Sequence, residues 1–122
     1  MSAPLTVDYY FAPQSPWTYL GHILSAITDI EDFARDGREA FMADRKTQSA
    51  VIRQLEIVGE AVKQLSAPLR SAHPEVPWRQ VAGARDRLIH AYFQVDLDSV
   101  WAMVVDDLPE LKSRISLLLN GG

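Results

Sequence analysis

From Trp17 to Ala34, apolar residues recur at Leu20, Ile23, Leu24, Ile27, Ile30 and Phe33, the three-and-four spacing that lays them along one stripe of an α-helix. Gly37 interrupts the pattern, and Glu39 to Met42 reads as a short helical piece. A long helix is expected from about Asp44 to Leu65, with Val51, Ile52, Leu55, Val58, Val62 and Leu65 turned inward and Arg45, Lys46, Gln48, Arg53 and Gln64 on the solvated face. Pro68 should end or turn that helix. The prolines at 74 and 77 force extended geometry on the residues before them. Pro77 suits the first turn of a further helix, expected from about Trp78 to Phe93, because its missing N–H has no helical partner to lose there. Asp96 is placed to cap the last helix, which carries Leu97, Val100, Trp101, Val104 and Val105 inward. Pro109 should kink or restart it before Leu111, Ile115 and Leu118 continue the stripe. Apart from Val7 to Phe11, no stretch alternates as a strand would. The fold class expected is all-α, an antiparallel four-helix bundle with short extra helices. Residues 17–120 form the helical domain and residues 1–16 an atypical N-terminal extension.

Composition narrows the picture. A chain of 122 residues, 48% of them hydrophobic, fills one core and not two. The absence of cysteine excludes disulfide scaffolds, thiolate-held zinc and thiolate catalysis. A cytoplasmic setting is the expectation. Met1 to Phe11 lacks a basic leader pattern, and charges interrupt every later apolar run, so no membrane association is expected. A formal net charge of -4 argues against whole-surface nucleic-acid binding. Any contact with RNA must be local.

Candidate chemistry concentrates in Arg85-Asp86-Arg87-Leu88-Ile89-His90-Ala91-Tyr92, which reads R-x4-H-x-Y. Flanking blocks occur in order around it: Asp44 to Gln48, Leu55 to Ala61, His73 to Trp78, and Val95-Asp96 ahead of Val100-Trp101. Together, from about Tyr19 to Leu118, these resemble the HepT-like branch of the HEPN superfamily. That resemblance implies a helical ribonuclease toxin acting as a homodimer with a composite site at the dimer interface. It also implies a cognate partner, a minimal nucleotidyltransferase antitoxin, which transfers AMP to the tyrosine of the motif, here Tyr92.

The residue types suit that chemistry. Metal-independent RNA cleavage needs a proton acceptor for the 2′-hydroxyl, a donor for the leaving 5′-oxygen, and positive charge at the phosphorane. His90 exchanges protons near neutrality, and the Arg85 guanidinium can present two parallel N–H donors to phosphate. Tyr92, with an ordinary pKa of about 10, is a poor base but a good acceptor for modification. An added adenylate beside Arg85 and His90 would block RNA by bulk and by charge. At about 100° per residue, Arg85 and Tyr92 share a stripe while His90 lies about 140° away from Arg85. Either Arg85 reaches around its helix or a second copy completes the site. Asp86, one turn before His90, is a candidate partner for the imidazole, and Arg87 adds local charge.

Other residues compete for roles. Glu60 is either a site carboxylate or an intrahelical partner of Lys63 or Gln64, and the latter is favoured; Arg45 is equally open. Between positions 70 and 90, Arg70, Arg79, Arg85 and Arg87 outnumber Glu75 and Asp86. Trp78 and Trp101 read as core or interface aromatics. His22 and His73 lack companions at ligand spacing, so neither a metal nor another cofactor is expected. The alternative function is a non-catalytic helical binding subunit of a nucleotidyltransferase complex. Val7 to Phe11 followed by Ser15 to Gly21 is similar to the first strand and helix start of thioredoxin-fold 2-hydroxychromene-2-carboxylate isomerases and kappa-class glutathione transferases. No βαβ plan comes after it, so these residues are read as an extension.

Overall fold

The computed structural model describes residues 15–83 and 96–120. Seven α-helices and one π-helical turn cover most of them, with no strand among the described residues. Helix α1, Pro16–Phe33, starts at Ser15, whose hydroxyl accepts the Thr18 N–H at 3.2 Å and satisfies one of the free amides of the first turn. Ser15 thus has a capping role. Leu20, Ile23, Ile27 and Ile30 are fully buried, as the spacing predicted, and pack chiefly on α3. Phe33 departs from the stripe: it stands on the last turn, where the chain leaves the bundle, and is 40% exposed.

Gly37 adopts φ 96° and ψ 178°, a region essentially reserved for glycine, and so turns the chain into α2, Arg38–Ala43. Asp44 then caps α3, Arg45–Gln64. Its Oδ1 accepts the Lys46 N–H at 3.1 Å and its Oδ2 the Thr47 hydroxyl at 2.7 Å. These bonds, the Thr47 hydroxyl foremost, hold the Asp44 carboxyl below its ordinary value.

Gln48, expected on the solvated face, is buried. Its amide nitrogen donates to the Phe41 carbonyl at 2.9 Å and the Met42 carbonyl at 3.1 Å. The last carbonyls of a helix have no intrahelical donor, and Gln48 supplies one from the neighbouring helix. Burying a polar side chain here answers two acceptors of α2.

Helix α3 ends at Leu65, whose extended backbone leads to Ser66. The Ser66 hydroxyl accepts the Leu69 N–H at 3.3 Å and opens α4, Ala67–Ala72, with Pro68 in its first turn. Pro68 therefore begins a short helix immediately after the long one has stopped. Pro77, at φ -78° and ψ 61°, forms an inverse γ-turn in which the Trp78 N–H donates to the Val76 carbonyl at 2.8 Å. Helix α5, Trp78–Ala82, comes next. The expected continuation of this helix toward Phe93 lies outside the described residues.

Asp96 caps α6, Leu97–Ala102, by accepting the Ser99 N–H at 3.3 Å. A π-helical turn, Met103–Asp107, joins it to α7, Leu108–Leu119. Pro109 explains the widened turn: it has no N–H for the carbonyl four residues back, and its ring crowds that carbonyl. Helical register changes there. Val104 stays buried while Val105, expected inward, is 46% exposed; Leu111, Ile115 and Leu118 resume the buried stripe. Arg38 pairs with Asp98, and Lys112 with Glu31 at 2.8 Å. The first pair joins α2 to α6 and the second joins α1 to α7. Both pairs are exposed and contribute little to stability. Trp101 is half-buried against Phe41, ring centroids 5.2 Å apart. No helix among the described residues is long and apolar enough to cross a membrane.

Candidate functional site

Three short structures meet where α3 ends. Ser66 turns the chain into α4, the inverse γ-turn at Pro77 turns it back, and α5 packs on α3. Trp78 fastens the junction: it is 7% exposed, and its Nε1–H donates to the His73 carbonyl at 2.9 Å. The loop from 73 to 77 is thereby tied to α5 through the side chain of the helix's own first residue.

Between these elements lies an open groove of about 830 Å³. Lys63 comes from the last turn of α3, Arg70 and Ser71 from α4, and Arg79 and Gln80 from α5. Among the described residues no carboxylate lines it. None of Lys63, Arg70 and Arg79 forms an ion pair with a described residue. Arg70 is half-buried, and its Nε is fully buried without a hydrogen-bond partner. A buried donor left unmade costs roughly 1–3 kcal/mol, so native structures rarely keep one without a reason. Across the rim, His73 Nδ1 lies 3.6 Å from Glu75 Oε2, which directs that carboxylate to the imidazole.

Gly83 is among the lining residues, two positions before Arg85 in the sequence. Arg85, Asp86, Arg87, His90 and Tyr92 all lie outside the described residues. Glu60 stands half-buried one turn before Lys63, and its Oε2 accepts the Gln64 Nε2 at 3.3 Å, one of the two intrahelical partners expected for it. Arg45 is exposed on the first turn of α3. At 1.5 Å per residue it stands about 27 Å from Lys63 along the helix axis. The structure therefore places Glu60 near the groove and Arg45 at the opposite end of the same helix. Among the described residues no cluster of His, Asp and Glu could hold a metal ion.

By sequence, Lys63 stands out only as a partner for Glu60, and Arg70 and Arg79 only as local charge. Nothing periodic links positions 63, 70 and 79. Two turns bring them together, and the capping serine at 66 and the proline at 77 were the available signals.

Comparison with known proteins agrees with the ordered blocks. The family model described as ribonuclease HepT-like matches residues 23–118. A Thermococcus cleftensis protein named "Probable ribonuclease HepT" is 50% identical over 101 residues, covering 82% of this chain and 92% of that protein. A candidate RNase of Caldanaerobacter subterraneus subsp. tengcongensis is 39% identical over 108 residues, covering 88% of this chain and 96% of its own length. A candidate RNase of Methanocaldococcus jannaschii is 44% identical over 92 residues, with coverage of 75% and 76%. No solved structure matches the chain significantly.

Proposed function

This chain belongs to the ribonuclease HepT-like family, and from that premise we propose that it is a metal-independent endoribonuclease, the toxin of a toxin–antitoxin pair. The observation that carries the reading is the R-x4-H-x-Y motif at 85–92, which falls inside the matched residues 23–118.

His90 takes the proton of an RNA 2′-hydroxyl as that oxygen attacks the adjacent phosphorus. The bond from phosphorus to the 5′-oxygen breaks, and the leaving oxygen takes a proton from the imidazolium of a second copy. The products are a 2′,3′-cyclic phosphate and a 5′-hydroxyl. Arg85 holds the non-bridging oxygens and stabilises the charge they gain in the transition state. Asp86 fixes the His90 tautomer, Arg87 adds positive potential, and a homodimer supplies the facing pair. A partner nucleotidyltransferase silences the enzyme: the Tyr92 hydroxyl attacks the α-phosphorus of ATP, pyrophosphate leaves, and the adenylate occupies the place of the RNA phosphate.

Co-expression tests the pair as a whole. Expressed alone, the chain should arrest growth; with its partner, growth should recover and the intact mass should increase by whole adenylates that map to Tyr92. Recovery without adducts, or adducts that persist in Tyr92→Phe, would contradict the proposed regulation. An absence of growth arrest together with tight partner binding would favour the non-catalytic subunit.

A further inference from the structure

Lys63, Arg70 and Arg79 come from three different helices, face one groove, and have no anion among the described residues. In a chain of net charge -4 such a cluster is anomalous, since acidic side chains outnumber basic ones. Arg70 adds a buried donor that lacks an acceptor. We propose that this groove binds the sugar-phosphate backbone of single-stranded RNA, with Lys63, Arg70 and Arg79 each taking one phosphate next to the bond that is cut.

The walls favour backbone over bases. Trp78, the one aromatic lining the groove among the described residues, is 7% exposed and has its indole N–H engaged by the His73 carbonyl, so it offers no stacking face. Ala67, Val76, Pro77, Ala82 and Gly83 supply small or apolar surface, with Ser71 and Gln80 as the uncharged polar side chains among the described lining residues. Contacts of this kind position a strand and carry little sequence preference. A volume of about 830 Å³ lies in the range of clefts that enclose small ligands. A single strand is required because in-line attack by a 2′-hydroxyl needs a backbone free to leave helical geometry. Gly83, one of the lining residues, stands two positions before Arg85 in the sequence, which puts the groove beside the motif along the chain.

This inference rests on the ribonuclease reading for its substrate, and binding separates the two. The probe is a short fluorescent 2′-O-methyl oligouridylate, which has no free 2′-hydroxyl and cannot be cut. Its affinity for the full chain is followed by anisotropy across a salt series. Each phosphate neutralised on a single strand contributes about 0.7 to the slope of log K against log salt, so replacing three cations should lower the slope by about 2. The variant carrying Lys63→Gln, Arg70→Gln and Arg79→Gln should bind at least about tenfold more weakly at low salt. Arg53→Gln, which removes an exposed charge on α3 paired with Glu56, should bind as the wild type does. Should the triple variant fail to fold, Lys63→Gln with Arg79→Gln alters only exposed side chains and should lower the slope by about 1.4.

A triple variant with the wild-type slope would overturn the proposal even if the wild type cuts RNA. So would a wild type that ignores the oligonucleotide, or one that binds polyglutamate in its place. Normal groove binding without cleavage of any RNA would instead remove the ribonuclease reading and leave the groove standing.

Discussion

Trp78 joins the fold to the groove, and its replacement has a calculable cost. An aromatic side chain of this size buries on the order of 200 Å², which at about 25 cal/mol per Å² amounts to about 5 kcal/mol. Truncations of buried Trp cost roughly 3–5 kcal/mol, so Trp78→Ala approaches the whole stability of an ordinary domain. Trp78→Phe is more informative. It keeps a ring in place but loses the Nε1–H bond to the His73 carbonyl, worth about 1 kcal/mol net, and about as much again in buried area. The sum is about 2 kcal/mol. For a chain of this length, that corresponds to a fall in Tm of roughly 8 °C. Urea unfolding followed by circular dichroism should show a lower midpoint with an unchanged slope. A Trp78→Phe midpoint equal to that of the wild type would refute the clamp and, with it, the account of how the loop from 73 to 77 is fixed.

Three further perturbations probe the frame. Gln48→Met removes the donor shared by the Phe41 and Met42 carbonyls and should cost about 2 kcal/mol in urea unfolding, although it puts an apolar residue into a buried position. Gly37→Ala should cost roughly 1–3 kcal/mol by the same measurement, because an added Cβ meets nothing within 4 Å and the loss comes from the backbone conformation alone. Asp44 gives a pH signature. Its folded-state pKa is lowered, so its contribution is present above the ordinary carboxylate value of about 4 and is lost as pH falls through the lowered value. The Tm difference between the wild type and Asp44→Asn should therefore shrink as pH drops below about 4, and a difference constant with pH would contradict this.

Much of the frame was legible because helical spacing is a physical constraint on burial. Ile23, Ile27 and Ile30 had to share a stripe, and Asp96 had the side chain and position of a cap. Gln48 was misjudged by residue type, although its position three and four residues before Val51 and Ile52 put it on the buried stripe. Polarity made it look solvated. Only the neighbouring carbonyls of α2 reveal why an amide belongs there. Val105 was misjudged because periodicity assumes a uniform helix, and the π turn ahead of Pro109 shifts the register of the side chains on it and beyond it. At the site, Arg85, His90 and Tyr92 stood out as chemistry and through the blocks around them. The convergence of Lys63, Arg70 and Arg79 did not, since it depends on two turns whose angles no periodicity encodes.

The central claim is that Arg85 and His90 cut RNA without a metal, and direct cleavage tests it. Purified wild-type chain, free of adenylate and kept in excess EDTA, should convert RNA to fragments ending in 2′,3′-cyclic phosphate, and His90→Ala should lower that rate by about 10² to 10⁴, the usual contribution of a general acid or base. Cleavage that disappears in EDTA, or that survives undiminished in His90→Ala, would contradict the account.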